Sequence, residues 1–205
     1  TAPWKIWAKG LMPAKAETDS MNAKETLRTE MLKKRKALPF DRRFRSEVLI
    51  TDRILGHQWY YSATDILVYK SCGSEVSTEE IIRDALQHEK RVYLPKVLSP
   101  ENGTMEFYRI TGDTPLIKGY GGILEPPAET PFIYTEEAVK STLMIMPGLA
   151  YDRKRSRIGY GKGFYDRYLQ EKEALHTIAI GFDCQMVNDI EEEPNDIKPK
   201  QVICL

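Results

Sequence analysis

Apolar residues at helical spacing characterise the first third of the chain. The pattern predicts a helix from Asn22 onward, with Asn22 and Glu25 forming a capping box and Pro39 lying beyond its end. Its apolar stripe consists of Leu27, Met31 and Leu38. A second helix is predicted over about residues 42–57, and its expected inward positions are Phe44, Val48 and Leu55.

Beyond residue 64 the pattern changes to short apolar runs that alternate with helical segments and turns. Strands are predicted at residues 65–70, 91–97, 105–110, 143–146 and 177–182, with a last one at 202–205. Helices are predicted from Ser77, with Glu80 completing a capping box, and near residues 164–173, and a Gly- and Pro-rich loop at 111–132. This alternation favours an α/β fold, a three-layer α/β/α arrangement with a mostly parallel central sheet.

The length of 205 residues suits one domain, and 41% hydrophobic residues suffice for a core. We expect residues 21–205 to form that domain and residues 1–20 to be an extension of unknown role, with Met21 as a candidate natural start. No apolar run approaches the roughly 20 residues that span a bilayer, and the first residues do not resemble a signal peptide. Three widely separated cysteines predict a reducing, cytoplasmic location without disulfides.

The charges balance at 30 basic and 30 acidic residues, which argues against a nucleic-acid-binding protein. The balance is not uniform along the chain. Residues 150–167 carry six basic and two acidic side chains, whereas residues 183–200 carry six acidic and two basic ones. Neutrality is therefore a cancellation between a basic segment and an acidic one, and an anion-binding site remains compatible with it.

The densest candidate chemistry lies in the stretch 146–168, which follows a predicted buried strand. Gly159, Gly161 and Gly163 alternate with Tyr160 and Lys162, so the backbone can approach a ligand closely. Arg157 and Lys162 could bind phosphate oxygens, and Asp166 could hold Mg²⁺ against them. The spacing matches neither the P-loop nor the dinucleotide fingerprint. From the pattern alone, phosphate binding and a tight packing turn both stay open.

A basic stripe of Lys24, Arg28 and Arg35 is expected on one face of the first helix, because spacings of four and seven residues return to the same face. Such a stripe is either a solvated surface or a set of ligand contacts.

The motif PGLAYD, followed by RIGYGKGFYDR at residues 157–167, closely resembles the signature of the 5-formyltetrahydrofolate cyclo-ligase family. Three more segments resemble that family in the same order: KETLR at 24–28, SCGSEVST at 71–78 and PND at 194–196. The resemblance covers about residues 22–204.

The resemblance implies that ATP and Mg²⁺ drive the conversion of 5-formyltetrahydrofolate into 5,10-methenyltetrahydrofolate, ADP and phosphate. In the chemistry drawn for this family the formyl oxygen attacks the γ-phosphate, and N10 then attacks the activated carbon of the imidate phosphate. Such a reaction requires mainly positioning and charge stabilisation. It requires no nucleophilic side chain.

The resemblance also implies roles for individual residues of this chain. Lys162, Arg157 and Tyr165 are the expected catalytic residues. The expected ATP contacts are Lys24, Arg28, Arg157, Ile158, Gly159, Tyr160, Gly161, Lys162, Gly163, Phe164 and Tyr165. The expected folate contacts are Lys70, Glu75, Tyr160, Gly161, Lys162, Gly163 and Phe164, and the expected Mg²⁺ ligands are Asp166 and Asp196.

The chain departs from the family pattern at three places. The turn at residues 153–156 lacks a Gly that members often carry before the position of Arg157, Lys200 replaces an acid, and Tyr160 stands where some members have a basic residue. The turn is therefore expected to differ in shape, and one phosphate contact is expected to be missing.

Three other classes of protein are weighed against the cyclo-ligase. They are an enzyme of related architecture such as a sugar phosphate isomerase, a non-catalytic folate- or nucleotide-binding module, and an RNA-binding protein using the basic runs at 33–36 and 153–157. The four matching segments favour the cyclo-ligase. We expect a monomer that binds a small-molecule folate, with neither a nucleic acid nor a membrane as partner.

Overall fold

The computed structural model describes residues 15–205, with side chains from residue 23 onward. The helices are α1 (Lys15–Lys36), α2 (Phe40–Leu55), α3 (Gln58–Ser62), α4 (Glu79–Gln87), α5 (Glu136–Lys140) and α6 (Phe164–Leu169). The strands are β1 (Asp65–Val68), β2 (Arg91–Ser99), β3 (Thr104–Ile110), β4 (Ile117–Lys118), β5 (Leu124–Glu125), β6 (Thr142–Met146), β7 (Ala150–Tyr151), β8 (Arg157–Ile158), β9 (His176–Gly181) and β10 (Gln201–Cys204).

A six-stranded sheet with the order β10-β9-β6-β1-β2-β3 forms the centre of the fold. Every neighbouring pair from β10 to β2 is parallel, and only β3 at the edge runs antiparallel to its neighbour β2. Both β1 and β6 are buried along their whole length, as expected for parallel strands that are covered on two faces. The predicted α/β class with a mostly parallel sheet is confirmed.

Successive side chains of β1 enter two different hydrophobic clusters. Ile66 and Val68 pack with residues of α2 and α4, including Ile54 and Ile81, on one face of the sheet. Leu67 packs on the other face with Tyr168 of α6 and its neighbours. Because side chains alternate across a strand, helices must cover both faces, which gives the predicted three layers.

The order of the strands reverses beside β1. The chain passes from β1 to β2 on one side, whereas β6 lies on the other side of β1. Such a switch point leaves a crevice at the carboxyl ends of the two strands, where ligands of open α/β sheets bind. The segments that follow β1 and β6 therefore meet at one place.

A small hairpin of β7 and β8 follows β6, and the buried carboxylate of Asp152 organises it. Asp152 Oδ1 accepts hydrogen bonds from the backbone N–H groups of Lys154 and Ser156, both at 2.8 Å. Its Oδ2 accepts one from the N–H of Ile190 at 3.1 Å. One side chain thus closes the turn and ties the hairpin to the acidic segment near the end of the chain.

Several sequence-based expectations about the helices are wrong. Asn22 lies inside α1 and cannot cap it, since the helix already begins at Lys15. The predicted capping box at Ser77 and Glu80 is absent, because α4 begins at Glu79 and the hydroxyl of its N-cap, Thr78, instead donates to the carbonyl of Tyr69. Helix α6 ends at Leu169, so it is shorter than predicted.

Helix α2 also presents a different face than expected. Phe44 and Val48 are 57% and 43% exposed, whereas Ser46, Ile50 and Ile54 are buried. The helix carries apolar side chains on two faces, and packing against the sheet selects the face of Ile50 and Ile54.

Helix α1 runs across residue 20, where the sequence places a boundary between an extension and the domain. Residues 1–14 of that extension lie outside the described part of the chain, and the proposed division stays a prediction. Within residues 15–205, none of the helices combines the length and the apolar character that crossing a membrane requires.

The turn that lacks the family glycine contains a strained residue. Arg155 has a φ of +68°, in the left-handed region that disfavours side chains by roughly 1–2 kcal/mol. Arg155→Gly removes this strain, but it loosens the unfolded chain by about 0.4–1 kcal/mol and loses the exposed hydrogen bond from Arg155 Nη1 to the carbonyl of Lys200. The relief of strain offsets these losses, so we expect the free energy of unfolding to stay close to that of the parent, as measured in urea.

Arg153→Gly is the matched control, because Arg153 lies in the same turn, is exposed and is not among the residues of positive φ. It gains no relief of strain, so it should lower the free energy of unfolding by about 0.4–1 kcal/mol. Equal losses in both variants would contradict a strained turn at Arg155.

Candidate functional site

Three irregular segments meet at the carboxyl edge of the sheet, and α1 crosses them. They are the β1 loop (residues 69–78), the glycine-rich loop (residues 159–163) and the acidic segment (residues 189–197). The basic stripe of α1 contacts all three of them. Lys24 contacts the acidic segment, Arg28 the glycine-rich loop, and Arg35 both the β1 loop and the glycine-rich loop.

Lys24 binds the acidic segment. Its buried ammonium group lies 2.7 Å from Asp196 Oδ2 and 2.9 Å from Glu193 Oε1. Burial alone would lower the pKa of Lys24, but these two carboxylates more than offset it and hold the pKa above its ordinary value. Lys24 is therefore a charged anchor for the segment that carries Asp196.

Arg28 binds the glycine-rich loop. Its Nε donates to the carbonyl of Gly159 at 3.1 Å, while Nη1 pairs with Glu25 on the same helix. A Cβ on Gly161 would lie 3.3 Å from the guanidinium carbon of Arg28, and Gly161 has a φ of +88°. Both the conformation and the close approach favour glycine at this position.

Arg35 connects the β1 loop, the end of β6 and the glycine-rich loop. Its side chain is buried, and Nε donates to Ser74 Oγ at 3.0 Å. Nη1 donates to the carbonyl of Gly148 at 3.3 Å, and Nη2 to the hydroxyl of Tyr160 at 2.6 Å. The sequence places Arg35 on the basic stripe but not among the site residues. Its spacing of seven residues from Arg28, which places both side chains on one face of α1, was the sequence signal that could have added Arg35 to the site.

Glu75 lies at the centre of this arrangement. Its Oε1 accepts the hydroxyl of Tyr160 at 3.0 Å, and its Oε2 accepts the N–H of Cys72 at 2.9 Å. Burial raises the pKa of Glu75, against the opposing effects of these two hydrogen bonds and of the charge on Arg35. Both oxygens of the carboxylate are thus held by hydrogen bonds from the protein, and each retains a lone pair that can accept a hydrogen bond from a ligand.

The glycine-rich loop presents one cation to solvent. Lys162 is exposed, and none of the hydrogen bonds or ion pairs within residues 23–205 involves its ammonium group. Its carbonyl accepts a hydrogen bond from Arg167 Nη1 at 2.5 Å. The backbone at Lys162 is therefore held while its charge is available to a ligand.

Arg157 and Asp166 form an ion pair behind the loop. Arg157 Nη2 lies 2.9 Å from Asp166 Oδ1, which also accepts the N–H of Ile197 at 3.2 Å. Arg157 Nε is buried without a hydrogen-bond partner in the described part of the chain. Such an orphaned donor is what a site for an anion would contain.

Tyr165 covers this pair, with its ring 5.6 Å from the guanidinium carbon of Arg157. Burial, followed by the charge of Glu75, raises the pKa of Tyr165, although Arg157 opposes the shift. Its hydroxyl therefore stays protonated at neutral pH and can serve as a hydrogen-bonding group, but not as a general base.

The remaining candidates are spread around the site. The ring of Phe164 meets Tyr120 edge-on at 5.8 Å, which brings the 111–132 segment over the glycine-rich loop. Lys70, after β1, pairs closely with Glu79 of α4. Ile158 is buried in a small cluster with Met31, so only its backbone could reach a ligand.

The two predicted metal ligands lie on segments that the structure joins. Asp166 binds the N–H of Ile197, the residue next to Asp196, while each carboxylate also binds one cation. No group of three or more acidic, His or Cys side chains with metal-binding geometry occurs among the described residues. Two carboxylates fit Mg²⁺ that is held mainly by phosphate oxygens and water rather than by a protein cage.

A separate surface hollow of about 710 Å³ lies near α3, just before β1, and is lined by Leu55, Gly56, Gln58, Trp59, Tyr61 and Ser62. Its lining contains no charged side chain. This hollow therefore offers no charged group to an anionic ligand.

The fold and the site together define an α/β protein that gathers Arg, Lys and a polar glycine-rich loop at the switch point of a parallel sheet, an arrangement suited to anionic ligands. The chain belongs to the 5-formyltetrahydrofolate cyclo-ligase family, whose model matches residues 20–204.

Similar proteins agree with this membership. The chain is 30% identical to the 5-formyltetrahydrofolate cyclo-ligase of Mus musculus over 89% of this chain and 93% of that protein. It is 28% identical to the Haemophilus influenzae protein of the same name, over 85% and 93% of the two chains. The chain is therefore an enzyme of the ligase class, and its family acts on a folate.

Solved structures share the fold. The 5,10-methenyltetrahydrofolate synthetase of Aquifex aeolicus superimposes with a TM-score of 0.75 at 24% identity, covering 88% of this chain and 89% of the other. The corresponding synthetase of Mycoplasma pneumoniae gives a TM-score of 0.68 at 21% identity, covering 88% and 97%.

The raised pKa of Glu75 has a consequence for stability. The folded protein binds this proton more tightly than the unfolded chain, so the free energy of unfolding falls as the pH rises above the ordinary glutamate pKa of about 4.3. Glu75→Gln lacks this loss, although its amide keeps only one of the two acceptor oxygens. We expect the stability of the variant relative to the parent to rise between pH 4 and pH 7, as measured by urea unfolding.

Glu173→Gln serves as the control, because Glu173 is exposed and lies just before β9, at the amino edge of the sheet and away from these contacts. Its stability should follow that of the parent at each pH. A Glu75→Gln difference that does not change between pH 4 and pH 7 would contradict the shifted pKa.

Proposed function

We propose that this protein uses ATP and Mg²⁺ to cyclise 5-formyltetrahydrofolate to 5,10-methenyltetrahydrofolate, releasing ADP and phosphate. The observation that supports this proposal most directly is the arrangement of the glycine-rich loop. It is held by Arg28 and Arg35 beside Glu75, Arg157 Nε has no hydrogen-bond partner within residues 23–205, and Lys162 is exposed. The site thus offers cations for phosphates next to a carboxylate for a pterin.

We assign the nucleotide to the cationic side of the site. Arg28, Lys162 and the backbone of residues 157–165 are the proposed contacts for its phosphates, and Lys24 is proposed to act with them by neutralising the acidic segment. Mg²⁺, when bound, would neutralise phosphate oxygens, and Asp166 and Asp196 are the residues proposed to hold it. Tyr165 is proposed to orient Arg157, over which it stacks.

We assign the folate to Glu75, Lys70 and the inner stretch from Tyr160 to Phe164. A carboxylate matches the amide and amine donors of a pterin, because each of its oxygens can accept a separate hydrogen bond. The aromatic ring of Phe164 offers a stacking surface beside it. These contacts would place the formyl oxygen toward the cationic side of the site.

The proposed reaction has two steps. The formyl oxygen attacks the γ-phosphorus, forming a C–O–P linkage as the bond to ADP breaks. N10 then attacks the activated carbon, the C–O bond breaks, phosphate leaves and N10 loses its proton. Arg157 and Lys162 are proposed to stabilise the charge on the transferred group, where preorganised donors contribute most.

The test is to mix the protein with Mg·ATP and 5-formyltetrahydrofolate. We expect the absorbance of the methenyl product to rise with one ADP released per product. Turnover without ADP would indicate an isomerase-like reaction, and ligand binding without turnover would indicate a binding module. Either result, with active folate, would overturn the proposal.

Lys162 provides a site-level prediction. Its exposed side chain adds little packing, so Lys162→Ala should leave the unfolding midpoint unchanged. A hydrogen bond to a charged group contributes about 1.5–3 kcal/mol, so we expect kcat/KM for ATP to fall by about tenfold or more.

Lys140→Ala is the matched control. Lys140 is also exposed, but it ends α5 at the opposite edge of the sheet. Its kinetics should equal those of the parent. If Lys162→Ala has the kinetics of the parent, Lys162 is an ordinary solvated surface residue and does not contact ATP.

Three further properties remain proposals. We propose a monomer, a small-molecule folate substrate with neither a nucleic acid nor a membrane as partner, and a cytoplasmic location. Cys72, Cys184 and Cys204 are all free thiols, which supports a reducing compartment.

A further inference from the structure

The buried guanidinium of Arg35 has an unusual set of partners. All three of its nitrogens donate hydrogen bonds, to Ser74 Oγ, to the carbonyl of Gly148 and to the hydroxyl of Tyr160. These partners are neutral, and none of the ion pairs in residues 23–205 includes Arg35. A buried charge of this kind needs good geometry and full hydrogen bonding to be tolerated.

Tyr160 links Arg35 to the carboxylate of Glu75 through two hydrogen bonds. Arg35 Nη2 donates to the Tyr160 oxygen at 2.6 Å, and that hydroxyl donates its proton to Glu75 Oε1 at 3.0 Å. A hydroxyl that accepts from a cation is a stronger donor, because hydrogen bonds in a chain polarise one another. Arg35 also holds Ser74, the residue directly before Glu75.

We infer that Arg35 is a positioning residue for folate recognition, acting through Tyr160 and Ser74 to fix the carboxylate of Glu75 and the glycine-rich loop in one arrangement. The inference deepens the proposed function, on which it rests for the identity of the ligand. Arg35 itself need not touch the substrate, since each of its three nitrogens already donates a hydrogen bond within the protein.

Other groups surround Glu75 and must be considered in any titration. Tyr69 follows β1, Tyr151 lies in β7 and Tyr165 lies in α6, and each interacts electrostatically with Glu75. Burial raises the pKa of all three, so they stay neutral across the acid range. Arg35 is the cation that opposes the upward shift in the pKa of Glu75. A change at Arg35 or Tyr160 is therefore read out specifically at Glu75.

The test uses Arg35→Met, Tyr160→Phe and the double variant. Tyr160→Phe removes only a hydroxyl from a side chain that is 54% exposed, so it retains the fold even if Arg35→Met is destabilised. Lys36→Met is the control, because Lys36 is an exposed neighbour on α1. Two readouts are measured: the KM for 5-formyltetrahydrofolate, and the titration of Glu75 in the ligand-free protein by carbon-13 NMR, assigned with Glu75→Gln.

Each single variant is expected to raise the KM for the folate by about tenfold, with a smaller change in kcat. The double variant should be little worse than Arg35→Met alone, because both changes interrupt one chain of hydrogen bonds. The titration of Glu75 should move to higher pH in Arg35→Met and in Tyr160→Phe. Lys36→Met should match the parent in both the KM and the titration.

The NMR readout needs no folate, so the two proposals fail separately. If the parent has no cyclo-ligase activity but the titration moves, the proposed function is overturned and control of Glu75 by Arg35 stands. If the parent is active, an unmoved titration or additive effects in the double variant would overturn the inference, since a merely structural Arg35 would lower stability without either signature.

Discussion

The hydrogen bonds between the basic stripe of α1 and three loops are the interactions on which the site depends. Loops at the end of a sheet carry backbone carbonyls that lack strand partners, and such groups must be satisfied when they are buried. Arg28 and Arg35 satisfy the carbonyls of Gly159 and Gly148, while Lys24 holds the acidic segment. One helix therefore assembles a site from pieces that are distant in the sequence.

The neutral net charge has a structural explanation in these contacts. The basic hairpin of β7 and β8 pairs with the acidic segment, as Lys154 does with Asp189 at 2.7 Å. Lys198, just after the acidic segment, pairs with Glu192 at 2.7 Å. Exposed pairs of this kind contribute little to stability individually. They do offset charge around the site, whereas Lys162 of the glycine-rich loop is exposed and has no ion-pair partner within residues 23–205.

The sequence predicted the sheet well because continuous apolar runs such as 143–146 have few alternatives to a buried strand. It failed at helix starts, since Thr78 uses its hydroxyl for the carbonyl of Tyr69, a partner nine residues away. The inward face of α2 was also unpredictable, because both candidate faces are apolar and only the sheet selects between them. The glycine-rich loop was recognisable from its spacing, but the role of Arg35 required knowing that residues 74, 148 and 160 meet in space.

The contact between Tyr160 and Glu75 links the two halves of the site. Tyr160 belongs to the glycine-rich loop on the cationic side, and its hydroxyl rests on the carboxylate proposed for the pterin. A ligand that donates hydrogen bonds to Glu75 weakens this carboxylate as the acceptor for the Tyr160 hydroxyl. An anion that orders the glycine-rich loop changes the position of the same hydroxyl. By thermodynamic reciprocity each ligand must then affect the affinity of the other equally. Under the proposed function, the arrangement of Arg35, Tyr160 and Glu75 is the physical path that couples nucleotide and folate binding.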